Sequence, residues 1–130
     1  MMELYRDVLV RRVREKYSSD VYNLECLNKA MSFISNYFRD ICDEIRDVMV
    51  VVPDVRLRDS KEEIEFAIGK SSLKFTMGKH HVGVFFGKEE IDKIVPATNH
   101  TCITYSNGEE VDMKAMDRYL MLAFKEELEL

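Results

Sequence analysis

The chain has no tryptophan and is poor in proline, glycine and cysteine, with two, five and three of these residues among 130. The three cysteines, Cys26, Cys42 and Cys102, are odd in number and widely spaced. This pattern favours reduced thiols over a disulfide framework, so we expect a cytoplasmic protein. Eight methionines without a tryptophan indicate an adaptable core, and they point to no cofactor.

The sequence also lacks a long apolar run. Its longest uninterrupted one, Tyr119 to Phe124, falls far short of the roughly 20 residues that cross a bilayer. Charged residues interrupt the first 17 positions, so we expect neither a signal peptide nor a membrane partner.

Basic residues are outnumbered: 19 Lys and Arg stand against 24 Asp and Glu, which gives a net charge of −5. This balance argues against nucleic-acid binding, which needs a basic face. One segment is locally basic, and its positive residues are Arg6, Arg11, Arg12, Arg14 and Lys16. Acidic neighbours dilute it, so we interpret it as a solvated helix face, with nucleic-acid or lipid contact as the alternative.

The strongest pattern runs from residue 21 to residue 49. Apolar residues recur there at alternating steps of three and four, at Leu24, Leu27, Met31, Ile34, Phe38, Ile41, Ile45 and Val48. This spacing predicts an α-helix with one apolar stripe, which must be covered by the rest of the chain or by a second copy. Pro53 should end this helical region.

A second helical pattern covers Met1 to Tyr17, followed by Ser18, Ser19 and Asp20, which are good N-cap residues. These three residues predict a helical hairpin with a break at this point. The alternative is one continuous helix, because Val10, Val13 and Tyr17 keep the three-four register of the later stripe.

Beyond Pro53 the apolar period changes to two, which predicts β-strands. Gly-Lys pairs at positions 69, 78 and 87 recur every nine residues, the rhythm of an antiparallel meander. Residues 91–95 are open to a strand or a short helix, and Asn107-Gly108 predicts a hairpin turn. We therefore predict a single α+β domain in which residues 1–52 are helical, residues 55–106 form an antiparallel sheet of four to six strands and residues 112–128 form a C-terminal helix.

Candidate chemistry is sparse. His81, His100 and Cys102 could share one face of the sheet as ligands of a metal or small molecule. The strand expected between His81 and the other two should hold them about 9.6 Å apart, too far for one ion. No catalytic residues are visible, so we expect a protein that is not an enzyme and carries no cofactor.

We predict a protein that acts by protein–protein contact, as an adaptor, inhibitor or chaperone-like protein, and that forms a homodimer. The predicted interaction surface consists of Leu27, Ile34 and Ile41 on the long helix, with Phe85 and Lys74 on the solvated sheet face. The open alternative for Phe85 is that the N-terminal helix covers it. The competing function is small-ligand binding or catalysis in a pocket between sheet and helices, with His81, His100, Cys102 and Tyr105 as its polar groups.

Overall fold

The computed structural model describes residues 4–98 and 101–129. Three helices and six strands form the described part of the chain, in the order α1 Tyr5–Glu44, α2 Arg46–Val51, β1 Val55–Asp59, β2 Glu63–Ile68, β3 Ser71–Met77, β4 Val82–Phe86, β5 Glu89–Pro96, β6 Cys102–Thr104 and α3 Met113–Phe124. The predicted α+β fold, with an antiparallel sheet and helices at both ends, is confirmed.

The six strands pair in sequence order, each antiparallel to the next. Gly69 and Gly87 adopt positive φ angles of 60° and 62°, which a residue without Cβ reaches without strain. Gly78 has no positive φ, and its N–H donates instead to the His81 carbonyl across a tight turn. Residues 91–95 belong to strand β5, which settles that open prediction.

Helix α1 is one continuous helix of 40 residues that passes through Ser18, Ser19 and Asp20 without a break. Of the two arrangements that the sequence left open, a hairpin and one continuous helix, the continuous helix is the one formed. N-cap chemistry favours a helix start but does not oblige one, and the helical register on either side is continuous. The real interruption lies at Ile45, whose ψ of 23° separates α1 from α2.

Both long helices pack on the same face of the sheet. Alternate strand residues on that face, such as Phe66, Phe75 and Val84, join the buried stripe of α1 in a single core. Phe38 of α1 lies 5.2 Å from Phe66 and 5.9 Å from Phe75, measured between ring centroids. Stacked and tilted ring pairs at these distances stabilise the core beyond the contribution of the apolar area that the rings bury.

Helix α3 completes the core with Tyr119 and Phe124, which are buried among the sheet side chains. Asp112 is the N-cap of α3, and its carboxylate accepts a hydrogen bond of 3.1 Å from the Ala115 N–H. Phe124 packs edge-on against Phe66 at 5.6 Å, so α3 lies over strands β2 and β3.

The register of β6 determines which of its side chains face the core. Cys102 and Thr104 face the core, while Tyr105 is 74% exposed. In a strand of three residues, apolar character alone does not fix the face, because a small thiol and a threonine fit the space beneath α1.

Candidate interaction surfaces

The N-terminal part of α1 extends beyond the sheet. Residues 5–21, called the arm below, are exposed except for the half-buried Val8, and the first buried residue of the helix is Cys26. The helix meets the domain at Tyr22, whose hydroxyl donates to the Ala97 carbonyl at 3.2 Å. At 1.5 Å per residue the arm is about 25 Å long.

The arm carries apolar side chains that nothing in the described structure covers. Their exposed fractions are large, at 80% for Tyr5, 49% for Leu9, 48% for Val13, 47% for Tyr17 and 57% for Val21. Val10, Val13, Tyr17 and Leu24 keep the three-four spacing of the buried Leu27, Met31, Ile34 and Phe38. The exposed stripe therefore lies on the same side of α1 as the stripe that faces the core.

Basic side chains flank this exposed stripe. Arg12 and Lys16 lie one helical turn from Leu9 and Val13, and both are exposed. The Lys16 ammonium lies 5.4 Å from the centroid of the Tyr17 ring, and Arg12 is 3.8 Å from Glu15 in a solvated ion pair. Such exposed pairs contribute little to stability, so both cations can bind a partner.

The helical face of the domain contains a second apolar surface. A groove of ≈ 460 Å³ lies between the C-terminal end of α1 and α3, above strand β2. We call it the apolar groove, and its lining includes the apolar side chains of Ile41, Ile45, Ile68, Leu120, Met121 and Leu128. Asp117 lines its edge, and Met121 and Leu128 are 56% and 46% exposed.

A polar groove of ≈ 650 Å³ lies on the other side of α1, against the turn between β1 and β2. Its central carboxylate is already bound within the chain, because Asp59 accepts from the Ser35 hydroxyl at 2.6 Å and the Arg39 Nε at 2.7 Å. Burial alone would raise the pKa of Asp59, but these two hydrogen bonds and the Arg39 charge lower it. In the polar groove, the ion pair between Arg39 and Asp59 therefore fixes α1 to β1.

The predicted helix residues divide between core and groove. Leu27 and Ile34 are both fully buried against the sheet of their own chain, and Ile41 is half-buried in the apolar groove. Leu24 and Val48, at the two ends of the predicted stripe, are exposed, and the accessible register continues towards the N-terminus into the arm. Sequence reasoning noted its register but not its exposure.

Phe85 and Lys74 lie opposite each other on neighbouring strands, on the sheet face away from the helices. The Lys74 ammonium stands 5.3 Å from the centroid of the Phe85 ring, and the ring also lies against Gly83. The N-terminal helix does not cover Phe85, which is half-buried by these two neighbours.

Of the candidate metal or ligand residues, the structure describes His81 and Cys102, and it places them two strands apart, at β4 and β6. His81 precedes β4 at the tight turn, while Cys102 is 7% exposed and points beneath α1, where its Sγ donates to the Cys26 carbonyl at 3.3 Å. Burial raises the pKa of Cys102 to about 11, so the thiol stays protonated. His100 lies outside the described residues. Within the described ranges no three His, Cys, Asp or Glu side chains are grouped to hold a metal ion.

A buried polar cluster, which the sequence did not reveal, joins β5 to α3. Asp92 is 7% exposed and accepts from the Tyr119 hydroxyl at 2.6 Å and the Ser106 hydroxyl at 2.7 Å. The backbone N–H groups of Lys93 and Ser106 complete its shell. The only available signal was that Asp92 shares a strand face with Ile94, which places a carboxylate on the core side.

Both carboxylate oxygens of Asp92 accept hydrogen bonds from donors of the same chain. Burial would raise the pKa of Asp92, but the hydrogen bonds from Tyr119, Ser106 and the backbone hold it below its usual value. Burial, together with the Asp92 charge, strongly raises the pKa of Tyr119. Arg118 pairs with Glu109 at 2.7 Å and screens the cluster. The hydrogen bonds from Tyr119 and Ser106 tie α3 and the segment after β6 to strand β5.

Among the described residues, no helix combines the length and the apolar character needed to cross a bilayer. Comparison of the chain with protein-family models, curated proteins and solved structures finds no match in any of the three.

Proposed function

We propose that this protein acts through protein–protein contact, without catalysis, and that it self-associates as a homodimer. The observation that supports the proposal is the arm, a stretch of helix whose apolar side chains are exposed to water. Burying an exposed Leu, Val or Tyr side chain contributes roughly 1.5–3 kcal/mol, so several of them in one line favour association strongly. An adaptor, an inhibitor or a chaperone-like protein would each use such a surface.

The test is sedimentation velocity on the purified chain over a wide concentration range. The wild-type chain should dimerise, and Val13→Glu should remain monomeric, because the substitution places a carboxylate in the apolar stripe. Ser18→Glu is the matched control: it adds the same charge to the opposite side of the arm, and it should dimerise like wild type. A wild-type monomer at every concentration that also co-purifies with no other protein would refute the proposal.

The open sheet face around Phe85 and Lys74 is a second proposed contact surface. Its single aromatic ring among polar neighbours resembles the centre of a small interface. Phe85→Ser should weaken association if this face takes part, with Phe86→Ser, on the helical side of the same strand, as the comparison. Unchanged association in Phe85→Ser would confine the contact to the helices.

Binding of a small apolar molecule is the second candidate function. The apolar groove supports it, since ≈ 460 Å³ is a typical volume for a ligand site. A long-chain fatty acid used as the probe should then raise the melting temperature of wild type, and Leu120→Trp should abolish the shift by filling the groove. The absence of any shift would leave only the interaction proposal.

We also propose a cytoplasmic location. The supporting observation is that Cys26 and Cys102 are buried as free thiols in the same core, an arrangement that suits a reducing compartment. Fractionation of the host cell checks this, and recovery of the protein outside the cytoplasm would contradict it.

A further inference from the structure

The arm and the apolar groove cannot meet within one chain. Val13 and Ile41 lie on the same continuous helix, 28 residues apart, which corresponds to about 42 Å along its axis. A straight helix cannot fold back on itself, so within the described residues the arm and the apolar groove each lack a partner. A second copy of the chain can cover both.

The charges around the two surfaces are complementary. The arm contains five basic and three acidic residues within positions 5–21, and Arg12 and Lys16 border its stripe. The groove is bordered by Asp117 and Lys125, and Glu44 follows Ile41 by one helical turn. Five basic and three acidic residues give the arm a net charge of +2, and the two carboxylates at the groove outnumber its one lysine, so the two surfaces attract each other.

Helix dipoles add to the negative character of the groove. Helices α1 and α3 both end beside it, at Glu44 and Phe124. Lys125, the C-cap residue of α3, lines the groove and offsets part of the negative charge at that end, whereas the last turn of α1 has no basic residue. A basic helix from outside adds positive charge beside the end of α1.

We propose that the arm of one copy lies in the apolar groove of a second copy, and that the second copy reciprocates. This inference rests on the proposed self-association and names the two surfaces that make it. The reciprocal exchange closes as a two-fold dimer in which each copy gives an arm and receives one. Val13 and Tyr17 enter the groove beside Leu120 and Met121, while Lys16 faces Asp117.

Pairing of two arms with each other is the competing arrangement, and the sequence disfavours it. Asp20 occupies the position that the three-four register reserves for an apolar residue between Tyr17 and Leu24. Two arms side by side would also bring Arg12 and Lys16 against the same cations of the other copy. Two short, interrupted, like-charged stripes make a weak coiled coil.

A mixing experiment separates these arrangements. Val13→Glu disables the arm, and Met121→Glu disables the groove at a side chain exposed enough to tolerate a charge. Each variant alone should show a dimer dissociation constant raised by roughly 30-fold or more, the effect of losing a central interface contact. Mixed together, the two variants should form a heterodimer, since the intact arm of one fits the intact groove of the other.

Control variants keep the result independent of folding defects. Leu122→Glu changes an equally exposed residue of α3 that faces away from the apolar groove, and it should dimerise like wild type. Leu128→Glu repeats the groove test at a second position. If both groove variants dimerise normally while Val13→Glu does not, the arms pair with each other or elsewhere; this overturns the inference but leaves the proposed function standing.

Chemical cross-linking gives a direct readout of the contact. Lys16 in the arm and Lys125 at the groove should be joined between copies, as detected in a mixture of isotopically light and heavy protein. The length of α1 keeps these two residues far apart within one chain, so such a link reports a second copy. A wild-type dimer that yields no mixed-isotope link between Lys16 and Lys125 would contradict the reciprocal arrangement.

Discussion

At the scale of single residues, Asp92 is the side chain whose role depends most on its surroundings. The carboxylate is buried in the core, and four donors make it tolerable there, two of them the hydroxyls of Tyr119 and Ser106. An aspartate in an alternating strand is ordinarily a solvated residue, so the sequence pattern alone did not identify this cluster. What reverses the usual expectation is the tertiary placement of α3, which no local pattern encodes.

Asp92→Asn should lower the free energy of unfolding by about 2 kcal/mol at neutral pH, since hydrogen bonds to a charged acceptor are lost. The native pKa of Asp92 is lowered, so below about pH 4 the unfolded chain binds more protons and this stabilisation declines as the pH falls. The difference between wild type and variant should therefore shrink with acidification. Urea unfolding measured over a pH series checks it.

The pH dependence of Asp59 has the same sign, but Asp59 is present in both proteins and cancels in the comparison. Asp40→Asn, on the exposed side of α1, is the control and should change stability by less than about 0.5 kcal/mol. A gap between wild type and Asp92→Asn that stays constant down to low pH would show that Asp92 is not held as a carboxylate by these donors.

At the scale of elements, periodicity was sufficient for most of the architecture. The meander, its turns at Gly69 and Gly87 and the capped start of α3 all follow from local patterns. Local patterns could not predict that α1 is continuous, because Ser18, Ser19 and Asp20 are compatible both with an N-cap and with the interior of a helix. The buried face of the short β6 could not be read from the sequence either, since three residues offer too little alternation to fix it.

Ser19→Pro should remove the helical structure of the arm without unfolding the domain. Proline clashes with the carbonyl four residues earlier and removes a helical N–H, and in the arm no core packing depends on either. Circular dichroism should show less helix, while the urea midpoint of the monomer stays near that of wild type. Asn36→Pro makes the same change where α1 packs on the sheet, and it should lower the free energy of unfolding by about 3 kcal/mol or more.

If Ser19→Pro lowers the stability of the monomer as much as Asn36→Pro does, the arm is not an independent extension. It would then share the cooperative unit of the core, contrary to the exposure of its side chains. The comparison thus tests whether the continuous helix behaves as two regions, one held by the sheet and one by a second molecule.

At the scale of the whole molecule, charge and apolar surface are distributed unevenly along one helix. The chain carries a net charge of −5, yet its first helical region is basic and exposes the apolar residues that the core of a domain would normally cover. The composition predicted a globular acidic protein, but a chain-wide composition does not show that basic and exposed apolar residues are concentrated in the arm. Only the length of α1 relative to the width of the sheet determines which part of the stripe is left outside.

Self-association through this exposed part should make thermal stability depend on protein concentration. A dimer forms only from folded chains, so mass action raises the melting temperature of wild type as concentration increases. Val13→Glu should melt at one temperature throughout, equal to the wild-type limit at high dilution, because Val13 contributes to association and not to the core. Ser18→Glu should follow wild type. Differential scanning fluorimetry across a dilution series measures all three, and a wild-type melting temperature that does not change with concentration would argue that the arm stays solvated.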